Sequence, residues 1–174
     1  SELASQKKLD ARMADSSPLV SRLMGALGDD VSGRLGDVLE APRELEGLVE
    51  QLLAGDIDAL LFDDAATLER AGRAALDQKK ASGEALLVAR GVSGDAAADG
   101  AAGSRLVDRL SVRSGYGPVV EALLGGYYVV DDLAAALAAP VVDGVTYVTP
   151  DGARVSCGGL VRVGLDAGEA SGAL

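Results

Sequence analysis

Histidine is missing from all 174 residues. That removes the commonest general base and the commonest metal ligand. Ser-His-Asp and Cys-His catalytic arrangements are impossible without it. Cys157 is the sole cysteine, so no internal disulfide can form and a Cys/His zinc site is excluded. A single thiol fits a reducing interior, and a cytoplasmic setting is the expectation. Aromatics are 3% of the chain and Phe62 is the only phenylalanine, so the core must be built from Leu, Val and Ala. There is no apolar run of about 18 residues to span a membrane, and no signal-peptide pattern near the start. No GxxxxGK[ST] phosphate loop occurs, and the Gly-rich spots at Gly33–Gly36 and Gly158-Gly159 carry no nucleotide fingerprint. Positive charge is scarce: 16 Lys and Arg face 27 Asp and Glu, a formal net charge of −11. Such a chain is repelled by phosphate backbones.

What is present is a repeated pattern. Tyr116 to Leu137, YGPVVEALLGGYYVVDDLAAAL, reads as helix, double glycine, strand, acidic cap and second helix. Val119, Val120, Leu123 and Leu124 recur at helical spacing. Gly125 and Gly126 end that helix, Tyr127 to Val130 suits a strand, and Asp131 or Asp132 caps the next helix. An earlier stretch matches it. Nine positions agree without a gap: Arg34/Arg105, Leu35/Leu106, Asp37/Asp108, Leu39/Leu110, Val49/Val120, Glu50/Glu121, Leu52/Leu123, Leu53/Leu124 and Gly55/Gly126. Both copies run on into an apolar stretch and an acid pair, LLFDD at 60–64 and YYVVDD at 127–132, the first copy being three residues longer. Two copies of one unit predict a fold with two similar halves.

In chain order, Leu9, Met13, Ser16, Val20, Leu23 and Leu27 form a thin heptad-like stripe interrupted by Pro18. It reads either as capping helices or as the root of a coiled coil. Arg34 to Leu39 is a short strand or a helical turn. Pro42 leads a helix with Leu45, Leu48, Val49, Leu52 and Leu53 inward. Strands are expected over 57–62 and 85–89, with a helix over 65–80 between them, capped by Asp63 or Asp64. Residues 91–103, GVSGDAAADGAAG, read as a loose connection. Residues 145–156 suggest a hairpin about Pro150-Asp151-Gly152, and 160–163 a last strand. The expected class is α+β, two similar α/β subdomains with small mixed sheets. The expected division is 1–29 as a capping or coiled-coil root, 30–90 and 104–164 as subdomains, 91–103 as a flexible connector and 165–174 as a tail or returning coiled coil. An opening Ser1 rather than Met suggests a piece of something longer.

The chemistry is thin. Asp63-Asp64 and Asp131-Asp132 suit a divalent metal if brought together, but helix caps explain them better. Cys157 beside Gly158 and Gly159 has no histidine to activate it and reads as a small apolar filler. Arg105, Arg109 and Arg113 make a stripe only if helical. Lys7, Lys8 and Arg12, with Lys79 and Lys80, are the candidate basic contacts, without aromatic interleaving. No catalytic, cofactor or metal residue is assigned. The glycine pairs permit close backbone approach, either within one chain or between two. With Tyr127, Tyr128 and Val129, the pairs Gly125-Gly126 and Gly158-Gly159 form the candidate pairing surface.

The chain resembles the hinge domain of SMC (structural maintenance of chromosomes) proteins, of the bacterial condensin type. The resemblance rests on GRL at 33–35 with Asp37-Val38, LEGLVEQLLAG, residues 57–64, GEALLV at 83–88, RLVDRLSV at 105–112, VVEALLGGYYVVDDLAAAL and VTYVTPDGARVSCGGLVRVG. It covers about residues 30–164. It implies a dimerisation hinge between two halves of a long antiparallel coiled coil, joining two chains in chromosome condensation and segregation. The implied partner is a second copy, paired through strand edges and glycine-rich turns, with Gly55 and Ile57 as the facing surface. ATP and kleisin would belong only to parts absent here, DNA contact would be weak at −11, and the setting would be cytoplasmic at the nucleoid. The alternatives are a small α/β enzyme using its acids and a divalent metal, or a stand-alone dimeric adaptor.

Overall fold

The structure is a computed structural model that describes residues 17–78 and 81–165. Contacts divide the chain into two units. The first takes residues up to Val38 together with Gly55–Val92, and the second takes Leu39–Ala54 together with the chain from Ser93 onward.

In the first unit, Ser17 starts α1 (Pro18–Leu27). Its hydroxyl oxygen accepts from the Val20 N–H at 3.2 Å, while its O–H donates to the Glu84 carbonyl at 3.1 Å. Val20 and Leu23, from the predicted stripe, are buried with Leu60, Phe62 and Ala71. The described part of that stripe therefore caps the globular core. Leu9, Met13 and Ser16 lie outside the described residues. The ambiguous stretch after Gly33 resolves into strand β1 (Gly33–Arg34), a single helical turn α2 (Leu35–Val38) and strand β2 (Leu39–Glu40), the last belonging to the second unit. β3 (Leu60–Phe62) is shorter than the expected 57–62. Residues Ala54–Asp58 form a 3-10 turn instead, closed by the Ala59 N–H donating to the Asp56 carbonyl at 2.9 Å. The three extra residues of the first copy are taken up there. α4 (Ala65–Leu76) follows, four residues shorter than expected, and β4 (Leu87–Ala89) returns parallel to β3. The sheet order is β1-β3-β4.

The second unit repeats that order. α3 (Arg43–Leu53) buries Leu45, Leu48, Val49 and Leu53, while Leu52, also expected inward, is half-buried. β5 (Ser104–Arg105), a 3-10 turn (Leu106–Arg109) and β6 (Ser111–Val112) precede α5 (Gly117–Leu124). β7 (Tyr127–Val129), α6 (Leu133–Ala138) and β8 (Thr146–Val148) form a second parallel β-α-β unit. β9 (Ala153–Ser156) and β10 (Leu160–Val163) extend it antiparallel, giving the order β10-β9-β8-β7-β5. The registers match across copies. Gly33 faces Leu61 and Arg34 faces Leu60, as Ser104 faces Val129 and Arg105 faces Tyr128. β2 and β6, from equivalent places in the two copies, pair with each other, Leu39 opposite Val112. The result is a mixed α/β fold with two similar halves and small mixed sheets.

Tyr128, Val130, Ala136, Val145, Tyr147 and Val155 make the second core, and Ala98, Ala101 and Ala102 pack on it. The alanine-rich connector is thus held where composition suggests a loose link. The Ala98 N–H donates to the Tyr128 hydroxyl at 2.8 Å, and the Ala102 N–H to the Tyr147 hydroxyl at 3.3 Å. The Tyr147 hydroxyl itself donates to the Pro140 carbonyl at 2.6 Å. Small side chains let this backbone approach the sheet, and polar tips on buried rings supply the partners it needs.

Candidate functional site

Strand order decides which edges are open. β7 has β8 on one side and β5 on the other, so Tyr127–Val129 is not an edge. The outer strands of the five-stranded sheet are the two-residue β5 and the four-residue β10, and all four residues of β10 are exposed. Leu160 is 63% exposed, Val161 41% and Val163 64%. Leu165 follows, also exposed, and Val141 near the β9–β10 turn adds to the apolar surface. Among the described residues no strand pairs with the outer side of β10, and aliphatic side chains on both faces of such an edge leave apolar area and backbone hydrogen-bonding groups in water at once.

The local sequence builds this edge. Thr149 and Asp151 bond to each other through their side chains, and the Thr149 Oγ1 accepts from the Ala153 N–H at 3.0 Å, which closes the turn into β9. Gly152 has φ 105°, and a Cβ there would sit 2.2 Å from the Gly164 carbonyl oxygen. The two ends of the hairpin therefore meet backbone to backbone, with the Gly164 N–H donating to the Gly152 carbonyl at 2.9 Å. Gln51 of α3 donates from Nε2 to the Gly164 carbonyl at 2.9 Å and fixes where the chain leaves the sheet. At the far end, Cys157 and Gly158 have φ 54° and 75°, the left-handed pair that turns a tight hairpin. Cys157 is exposed. The filler role expected of it does not apply, because the turn carries it outward.

The expected pairing residues fall in different places. Gly158 and Gly159 are exposed in the β9–β10 turn, Gly55 is exposed, and Ile57 is half-buried in the 3-10 turn. Gly125 is buried: a Cβ would meet the Glu121 carbonyl oxygen at 2.3 Å and the Arg105 Nη2 at 2.9 Å. A Cβ on half-buried Gly126 would meet the Gly144 carbonyl oxygen at 2.5 Å. Tyr128 and Val129 are buried and Tyr127 is half-buried. The close approach that the Gly125-Gly126 pair allows is made inside its own unit. Lys7, Lys8, Arg12, Lys79 and Lys80, the expected basic contacts, lie outside the described residues.

The second acid of each pair is a helix cap, while Asp63 lies 3.6 Å from Arg90. Asp64 Oδ1 accepts from the Thr67 N–H at 2.7 Å, and Asp132 Oδ1 from the Ala135 N–H at 2.8 Å. Asp64 is held below the usual aspartate range, first by that backbone hydrogen bond and then by the Thr67 hydroxyl. No group of three or more metal-ligating side chains occurs among the described residues. The repeated arginines play matching structural parts. Arg34, buried, lies 3.6 Å from Asp58, and Arg105 donates to the Gly125 carbonyl at 3.1 Å and to the Asp95 carbonyl. Each ties its strand to a neighbouring turn. The strand 160–163 is the surface that sequence reasoning missed. Its LVRV run signals a strand, but nothing local says that the strand has no outer neighbour.

The arrangement defines a class: a small mixed α/β module whose larger sheet ends, among the described residues, in an exposed apolar strand. The SMC proteins Flexible Hinge Domain family matches residues 28–139, more than half of the chain. The chain belongs to that family. Among solved structures it is similar to the Pyrococcus furiosus SMC protein hinge domain, at 17% identity and TM-score 0.69, covering 90% of this chain and 84% of that one. It is also similar to the Geobacillus stearothermophilus SMC hinge domain, solved as an asymmetric dimer, at 18% identity and TM-score 0.70, covering 98% and 76%. The Pyrococcus furiosus hinge with an extended coiled coil gives 18% identity and TM-score 0.71, covering 97% and 63%. No curated protein sequence matches the chain.

Proposed function

We propose that this chain joins two SMC proteins at their hinges, as a homodimer, and that it does so without catalysis of its own. The observation that carries the reading is β10, four consecutive exposed residues at the end of a sheet. A second copy laid along that edge would cover the aliphatic side chains and satisfy the free backbone groups. The dimeric Geobacillus hinge supports the stoichiometry. The Pyrococcus hinge with its coiled coil supports arms leaving from the ends of this chain. By family, the two arms would serve chromosome condensation and segregation in a cytoplasmic, nucleoid-associated protein of the bacterial condensin type. ATP and kleisin would act on parts outside this chain, and duplex DNA would be at most a weak contact here. Gly158 and Gly159 stay in the proposed interface as the turn that shapes the edge, and Gly55 and Ile57 as a facing surface.

Multi-angle light scattering tests the dimer. The wild type is expected near twice its 17.5 kDa mass. Val161→Asp with Val163→Asp is expected to run as one copy with its far-UV spectrum unchanged, because carboxylates would have to be desolvated at the contact. A wild type at the single-copy mass at tens of micromolar would sink the proposal.

A further inference from the structure

The register of the edge hairpin places two arginines directly opposite each other. Arg162 of β10 faces Arg154 of β9. Because side chains alternate along a strand, both guanidinium stems rise from the same face, with Leu160 and Ser156 beside them. Like charges directly opposite on neighbouring strands repel. Within a protein of net charge −11, such a pair is expected to recruit an acid. Neither has an ion-pair partner among the described residues. Arg154 is half-buried, and its Nε is shut away from solvent with no hydrogen-bond partner. Arg162 is exposed on the open edge.

Two anions suit a pair of guanidiniums, a carboxylate and a phosphate. The surroundings favour the first. Leu160 lies on the same face as the pair, and Val161 and Val163 expose aliphatic surface on the other face of the strand, which a nucleic-acid backbone leaves uncovered and a protein strand covers. A second copy brings 27 acidic side chains, and the same negative field that attracts it to cations repels a polyphosphate.

We propose that Arg154 and Arg162 form half of an ionic contact that a carboxylate of a second copy of this chain completes when it lies along β10. The inference rests on the dimer reading above and adds its polar determinant. The exposed apolar residues supply the area, and the arginine pair sets the register and excludes an edge that brings no acid. In a two-fold dimer the contact occurs in both copies.

The test is a dilution series by sedimentation equilibrium at low and high NaCl on the wild type, on Arg154→Gln with Arg162→Gln, and on Arg154→Lys with Arg162→Lys. Salt screens both this contact and the repulsion between two acidic copies, so the contact is read as a difference: the wild-type dissociation constant should rise more with salt, or fall less, than that of the glutamine pair. The glutamine pair should raise the dissociation constant about tenfold at low salt and by less at high salt, where the contact is screened. The lysine pair should keep most of the salt dependence, having kept the charge. The melting temperature of the isolated glutamine variant should not fall, because that change relieves a repulsion within one copy. A glutamine pair that dimerises with the wild-type constant and salt slope would overturn the inference while leaving the dimer standing. A glutamine pair that dimerises as wild type but loses duplex-DNA binding would assign the guanidiniums to phosphate and overturn it as well. A wild type that stays single at low salt would instead refute the dimer reading beneath it.

Discussion

Asp64 accepts the Thr67 N–H at the start of α4, and the bond favours its charged form. Its pKa is therefore lower in the folded chain than in the unfolded one. The stability it adds is fully present above the ordinary aspartate range and is lost as pH falls through the depressed folded value. A carboxyl NMR titration should find Asp64 below the usual range. Thr67→Val, which removes the hydroxyl and keeps the N–H, should bring it only part of the way back. Among the glycines, Gly152 and Gly103 are both hemmed in by backbone at a positive φ. Gly152→Ala puts a Cβ into both a left-handed φ and the Gly164 carbonyl, and should cost more than about 1 kcal/mol in denaturant melts. Gly125→Glu should likewise reduce folded yield, because its neighbours are the chain's own Glu121 carbonyl and Arg105.

At the scale of elements, the strap over the second sheet is where a compositionally loose segment takes a fixed path. Two tyrosines stand opposite each other on β7 and β8, and each hydroxyl accepts one connector amide. Tyr128→Phe and Tyr147→Phe keep the rings in the core and remove the acceptors. Each should cost about 1 kcal/mol, and hydrogen exchange should accelerate at Ala98 in the first variant and at Ala102 in the second. Acceleration spread evenly over the whole chain would mean that the hydroxyls do not hold the strap. Gln51 has a comparable role at the C-terminal end of β10. Gln51→Ala should loosen the exit at Gly164 and leave the β8–β9 turn unaffected.

For the molecule as a whole, charge decides what approaches it. At −11, duplex DNA should bind this chain with a Kd weaker than about 1 µM at physiological salt. Labelled duplex titrated by fluorescence anisotropy checks this, and submicromolar binding would mean that a local basic patch outweighs the net field. The same field opposes association of two copies, so a dimer has to be held by the apolar edge with local ion pairs working against the long-range repulsion. Its dissociation constant therefore reflects two opposing salt effects, and the arginine variants separate the local one.

The sequence by itself determined the repeat and most of its elements. Helical spacing at Leu45, Leu48 and Val49 and at Val119, Val120 and Leu124, caps at Asp64 and Asp132, and the turn at Gly152 are local signals, set within one or two turns of chain. Nine shared positions were enough to show that the strands of both halves would follow one plan, and a family resemblance was legible in the same residues. Only the tertiary structure decided which strand is left open. Whether Tyr127–Val129 lies at an edge depends on where β5 returns to pair, and that is a contact between residues far apart in the chain. Only the register across β9 and β10 sets Arg154 against Arg162. A glycine's freedom is written in the sequence, but whether it admits the chain's own backbone, as Gly125 does, or a second chain's is decided by what folding brings within reach of it.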